Sequence, residues 1–215
     1  MQAYGTFTKI GDYIYRTDTY LQFGKTKDSK DLEDLEDVIG ACVLCNPGSA
    51  KAFEDSIEKK LLSFQGPGNL VLKDVRLKED ATMKQLKNIL EGIYGEDFKG
   101  IFRIYNLFTL KEPKMNIAIK LKKSNELNEE MLYKDFEDFN KLQLDGEKIL
   151  LRAWGVDDAK ILRDLKKDWD KLISNTEAKK LGKFKEESQY YHPLPKLQDH
   201  KIAFIKYIID QYFKK

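Results

Sequence analysis

Cysteine and histidine are scarce, with two of each in 215 residues. Two cysteines cannot build a disulfide framework, and two histidines leave little room for metal chemistry. No apolar run approaches the roughly 18 residues needed to cross a bilayer, so no membrane segment is expected. The opening MQAYGTFTKIGDY has no basic stretch leading into an apolar one. No secretory signal is therefore expected, and the expected compartment is the cytoplasm. Glycine-rich cradles of the GxGxxG or GxxxxGKS/T kind are missing, which argues against dinucleotide and NTP binding. The GxSxG signature of a nucleophilic serine is missing too.

What remains is an ordinary globular composition: 41% hydrophobic, 12% aromatic and 34% charged. That is enough apolar material for one sizeable core at this length, and a single domain over residues 1–215 is expected. The net charge of +2 says little, but its distribution is uneven. Lys160 to Lys215 carries 14 Lys and Arg against 8 Asp and Glu, a net of +6. A basic last quarter permits phosphate contact, and it equally suits a solvated helical surface. An acidic knot, Asp31 to Asp37, lies near the front.

Along the chain, residues 1–24 are aromatic and short-patterned, more strand than helix. Lys25 to Asp37 reads as a polar connection or a short helix. Val38 to Cys45 is apolar or small without alternation, the pattern of a strand buried on both faces. A helix should come next, with Phe53, Ile57, Leu61 and Leu62 on one face and Ser49 as its candidate cap. Leu70–Leu77 alternates as a strand does. Met83, Leu86, Ile89, Leu90 and Ile93 have helical spacing. Gly100–Tyr105 and Lys148–Trp154 read as further strands, and helices are expected over about 126–142, 156–172 and 198–213. A last short strand is expected at Gln189–Tyr191. Strands alternating with helices predict an α/β, three-layer αβα domain with a mostly parallel central sheet of four to five strands.

In such sheets ligands sit beyond the carboxyl ends of the strands. The strand ends here deliver Asn46-Pro47-Gly48, Asn106-Leu107-Phe108, Trp154-Gly155 and His192-Pro193-Leu194-Pro195. Each has a plain alternative: Asn46 can shape a turn, Asn106 can cap the next helix or turn, and His192 can be a satisfied, partly buried histidine. Cys42 and Cys45 have CxxC spacing inside an apolar strand, where positions i and i+3 face opposite sides. Both read as core rather than metal ligands. Neighbouring acids such as Glu129-Glu130 and Asp157-Asp158 do not converge on one substrate.

A buried strand ending in Asn-Pro-Gly, a middle strand ending in Asn and a late His-Pro-x-Pro resemble the uracil-DNA glycosylase superfamily, closest to its mismatch-specific and single-strand-selective branches. The agreement covers roughly residues 38–213. The chain also looks like an uncharacterised bacterial family with Tyr15-Arg16, Asn46 to Ala50, Asp55, Asn106 to Phe108, Trp154-Gly155 and His192 to Leu194 as its motifs. That family brings no activity with it.

The glycosylase resemblance implies a uracil-DNA-glycosylase-like fold and hydrolysis of the N-glycosidic bond of a flipped uracil or modified pyrimidine. It implies that Asn46 places or activates the attacking water, and that His192 donates to the base carbonyl and stabilises the leaving base. Pro47 and Gly48 would hold the loop tight, with Phe53 or Phe108 stacking on the base and Asn106 reading its edge. Ser49, Lys196, His200 and Lys201 would contact DNA, with Lys196 where the family carries a wedge residue. Donors aimed at the base and an oriented water are what such a reaction needs, and the base must first leave the stack.

Two features depart from the family. Leu194 stands where the glycosylases usually have Ser, and residues 65–99 look like extra material that reshapes the base pocket. A larger modified pyrimidine, as in a defence or phage setting, is then a reasonable substrate. The expected protein is a monomer that needs no cofactor or metal and binds single- or double-stranded DNA. The alternatives are a non-catalytic nucleic-acid or nucleotide-binding protein, and an interaction domain whose motif residues only shape turns.

Overall fold

A computed structural model describes residues 1–24, 37–123, 126–142 and 144–214. The segment 25–36, with most of the acidic knot, lies outside the described residues. The chain opens with a hairpin: β1 (Gln2–Ile10) and β2 (Tyr13–Phe23) pair antiparallel, Ile10 opposite Tyr13. Two residues join them, and Gly11 has φ +56°, a left-handed conformation that glycine adopts without steric cost. β3 (Val38–Leu44) is the apolar strand that its composition predicts. After α1 (Asp55–Ser63) comes β4 (Asn69–Leu77), which pairs antiparallel with β1 and is largely exposed. That is how an edge strand with one solvated face reads.

Next come α2 (Ala81–Tyr94), β5 (Gly100–Asn106), α3 (Met115–Lys123), α4 (Glu129–Leu132), α5 (Lys134–Lys141) and β6 (Ile149–Arg152). α6 (Lys160–Ser174), β7 (Lys179–Leu181), β8 (Phe184–Glu186), β9 (Gln189–Tyr190) and α7 (Gln198–Phe213) complete the order. The main sheet runs β4-β1-β2-β5-β3-β6-β7. Antiparallel pairings join β4, β1, β2 and β5, and parallel ones join β5, β3, β6 and β7.

The expected mostly parallel, four- to five-stranded, uracil-DNA-glycosylase-like sheet is therefore wrong. The observed sheet is mixed and seven-stranded, and half of its pairings are antiparallel. The cause is local: a two-residue turn can only return a strand antiparallel, whereas parallel neighbours need a long crossover. The aromatic start supplies two long strands joined by such a turn. Residues 69–77 then add to their free edge instead of starting another crossover unit. β8 and β9 form a separate two-stranded hairpin.

Alternate residues of the central strands feed two cores. Leu44, Cys42, Phe102, Ile104 and Leu151 pack with α1, α2 and α7, while Ala41, Val43, Tyr105 and Leu150 pack with α4, α5 and α6. The two cysteines fall in different cores, on opposite faces of the sheet, and neither forms a disulfide.

Several local details differ from expectation. Ser49 does not cap α1, which starts at Asp55 with Glu54 as an N-cap that makes no side-chain hydrogen bond. Phe53 precedes that helix, and Leu62 on it is exposed. The helix expected over 126–142 is broken at Tyr133, and α3, β7 and β8 have no counterpart in the sequence pattern. No helix among the described residues is long and apolar enough to cross a membrane.

Candidate functional site

β3, β5 and β6 end side by side, and the residues after β3 open a cleft of about 300 Å³. One wall is the loop Asn46–Ser49; another is the first turn of α2 with Asp80 and Thr82; a third is His192 and Leu194. Arg16, from β2, also lines it. A larger trough, about 600 Å³, lies where β6 begins, around Asp145 and Lys148, away from these strand ends.

Sequence order explains the loop. β3 must stop at Asn46-Pro47, because proline has no N–H to continue a ladder. Gly48 then turns the chain with φ +64°, and a Cβ there would meet nothing within 4 Å, so glycine is needed for its backbone angle and not for space. Asn46 is anchored by a hydrogen bond from Nδ2 to the carbonyl of Glu112. With the amide nitrogen committed, Oδ1 is the acceptor this side chain retains.

Arg16 is 2% exposed and donates from Nη2 to the Pro47 carbonyl at 2.8 Å and from Nη1 to that of Ala50 at 3.5 Å. Among the described residues its Nε, which is buried, has no hydrogen-bond partner. Among the described residues no carboxylate lies within 4.0 Å of this guanidinium. Burial lowers its pKa to about 10, against the attraction of Asp80 and Asp135, so it stays charged at neutral pH.

His192 reaches the cleft through the β8–β9 hairpin, which is tied to the end of β6 by a Gly155–Tyr190 bridge and by a 2.8 Å hydrogen bond from Trp154 Nε1 to the Ser188 carbonyl. Leu194 N–H donates to His192 Nδ1 at 3.1 Å. Nδ1 therefore carries no proton, and in the neutral ring Nε2–H is the donor. Burial pushes the His192 pKa down, favouring that neutral form.

α2 begins at the cleft because Asp80 caps it, accepting from Met83 N–H at 2.8 Å. The 65–99 stretch is thus more than an insertion: it contributes the edge strand β4 and the helix end that walls the cleft.

Asn106 is elsewhere. It is 1% exposed, and its backbone N–H and Nδ2 both donate to Asp135 Oδ2, at 2.8 and 2.9 Å. Its Oδ1 is buried without a partner among the described residues. Asp135, on α5, is itself buried, and that burial pushes its pKa up to about 8. Phe108 is buried beside α3 against Ala118 and Leu132. Phe53 is half exposed and carries the Arg76 guanidinium 4.3 Å from its ring centre. Neither ring lines the cleft, so the expected base-stacking roles of Phe53 and Phe108 and the expected base-edge role of Asn106 find no place there. Asn106 and Phe108 lie at the end of β5, beside β3, but packing turns both inward, while Phe53 lies just before α1 against Arg76.

Ser49 is exposed at the rim. Lys196 and His200 are exposed and Lys201 is half-buried, around the start of α7 and outside the cleft lining. Among the described residues no three His, Cys, Asp or Glu side chains are grouped to hold a metal ion. Burial pushes the Cys45 thiol up to about 12 and Cys42 further, so neither is a thiolate at neutral pH.

Two residues that pattern reading passed over hold the neighbouring strand ends. Asp135 grips the end of β5, and Lys166, 1% exposed on α6, donates to the carbonyls of Gly155 at 2.8 Å and Asp157 at 2.5 Å. Both had a signal. Lys166 falls on the apolar stripe of Leu162, Trp169 and Ile173, and Asp135 lies three residues after Leu132 and four before Phe139.

Together, fold and site define a mixed-sheet α/β protein with a strand-end cleft, lined by both polar and apolar side chains, that its two sheet halves share. Comparison with family models, with curated proteins and with solved structures gives no match.

Proposed function

We propose that the protein is a DNA base glycosylase that hydrolyses the N-glycosidic bond of a flipped uracil or modified pyrimidine. One observation carries the reading: Asn46 and His192, far apart in sequence, line one cleft, each with one side-chain nitrogen already hydrogen-bonded. His192 presents a neutral Nε2–H, suited to a base carbonyl whose oxygen gains negative charge as the bond breaks. Asn46 retains an amide oxygen, suited to accept from and orient a water. Such a reaction relies on aimed donors and a placed water, with no need for a strong nucleophile. Pro47, Gly48 and Ser49 shape the wall on the Asn46 side. The basic last quarter, with Lys196, His200 and Lys201 near the start of α7, supplies charge for the DNA backbone.

The alternative, a non-catalytic nucleic-acid or nucleotide-binding protein, also has an observation in its favour. Among the described residues no Phe, Tyr or Trp side chain lines the cleft, and Asn106 is committed to Asp135. A flipped base would then have no aromatic ring of the lining to stack on.

The test is a panel of end-labelled oligonucleotides carrying uracil, hydroxymethyluracil, hydroxymethylcytosine or glucosylated hydroxymethylcytosine, single- and double-stranded, treated with alkali after incubation. Alkali-labile breaks that vanish with Asn46→Ala, while DNA binding persists, are the expected result. Salt-dependent binding with no breaks on any substrate would favour the non-catalytic reading.

A further inference from the structure

We infer that the cleft receives a ligand group that is anionic or becomes anionic, with the Arg16 guanidinium as its counter-charge. This deepens the glycosylase reading and rests on it: the group is the departing base. Arg16 is costly where it sits. Burying a guanidinium without a carboxylate in contact is unfavourable, and two carbonyl partners recover only part of the lost hydration. The two hydrogen bonds to Pro47 and Ala50 hold the Asn46 loop, but a neutral amide has two donors as well and carries no charge into the protein. The charge itself is unexplained by loop-holding.

The surroundings leave that charge available. Among the described residues Asp80 is the one carboxylate lining the cleft; it already accepts the Met83 N–H and lies more than 4.0 Å from the guanidinium. Asp135 attracts Arg16 from beyond 4.0 Å, and its Oδ2 takes two N–H bonds from Asn106. The amino-terminal end of α2 faces the same cleft and adds a partial positive charge. The Arg16 side chain, whose Nε is buried without a partner among the described residues, and the neutral His192 thus line one space.

In the reaction the C1′–N1 bond breaks and its electron pair stays on the base. The water oxygen bonds to C1′ and releases a proton to solvent, and the base anion later takes up a proton. Negative charge therefore develops on the base in the transition state, where a fixed cation lowers its energy without reorganisation.

The experiment compares uracil with 5-fluorouracil, whose base is the more acidic leaving group, in oligonucleotides cleaved by wild type, Arg16→Lys and Arg16→Met. Arg16→Met should lower kcat on uracil on the order of 100-fold. Its loss on 5-fluorouracil should be clearly smaller, because a better leaving group needs less help, and Arg16→Lys should recover part of the loss. Equal losses on both substrates would overturn the inference and leave Arg16 as a loop clamp. Should Arg16→Met not fold, wild-type binding of the free bases decides: tighter binding of 5-fluorouracil than of uracil at one pH supports the counter-charge, and equal binding overturns it. A wild type that cleaves no substrate would sink the glycosylase reading alone, since free-base binding still tests the cleft.

Discussion

The two halves of the sheet use charge differently: on the antiparallel strands the buried Lys9 ties β1 to the Leu62 carbonyl of α1, a helix and not a strand end. In the antiparallel half, β4 and the β1–β2 turn meet water, and the strands end in turns whose requirements are conformational, such as the left-handed Gly11. In the parallel half, three adjacent strand ends are each held by a buried ionisable side chain: Arg16 after β3, Asp135 at β5 and Lys166 after β6. Burying ionisable groups is costly, so their concentration at one edge marks where the fold spends stability on geometry. The clamp on the loop after β3 comes from β2, so the antiparallel hairpin is a working part of the cleft and not an appendage.

The largest expected effect lies at the cleft beyond the parallel strand ends. Removing the donor at His192 by His192→Ala should cost about 100- to 1,000-fold in cleavage rate, measured by single-turnover kinetics, with little change in the folding midpoint. A change in stability of equal weight would make His192 structural.

Lys166→Ala should destabilise the protein by about 2–3 kcal/mol in chemical denaturation, since two carbonyls lose a charged donor and a cavity opens. It should also weaken cleavage, because the Gly155 loop bridges to the hairpin that carries His192.

Asp135 gives a pH signature. Its folded pKa of about 8 lies above the ordinary carboxyl value near 4, so the folded state holds the proton more tightly. Stability should therefore fall as pH rises from about 4 to about 8, and Asp135→Asn should flatten that decline when unfolding is followed across the range. His192 titrates with the opposite preference. Its lowered pKa means the neutral donor persists below the usual imidazole range, so the acid limb of kcat/KM should lie under about 6.5.

The smallest effect belongs to the antiparallel half. Gly11→Ala should cost about 1 kcal/mol through left-handed strain and leave cleavage unchanged. A matching fall in activity would mean that the hairpin tunes the cleft through Arg16.

The elements legible in the sequence were those whose pattern is local. The apolar Val38–Leu44 strand, the helical spacing of Met83 to Ile93 and the closing helix Gln198–Phe213 all emerged close to their bounds. Strand direction was not legible, because alternation and apolar runs do not say which neighbour a strand will choose. Asn46 and His192 were found at strand ends, yet Asn106 shares that placement and turns inward to Asp135. A strand-end position fixes where a backbone stops; the partner that claims the side chain is set by packing. Asp135 and Lys166 were missed because each sits among other charged residues, where one buried position in a helical stripe looks like surface.

The central claim is that Asn46 and His192 serve one reaction in one cleft. Its most direct test is free-base release, followed by mass spectrometry, from a uracil-containing oligonucleotide with wild type, Asn46→Ala, His192→Ala and the double variant. The account predicts release by wild type, deep losses in both single variants, and a double variant losing much less than the product of the two. Release that is undiminished in either single variant, or losses that multiply as for independent sites, would contradict it.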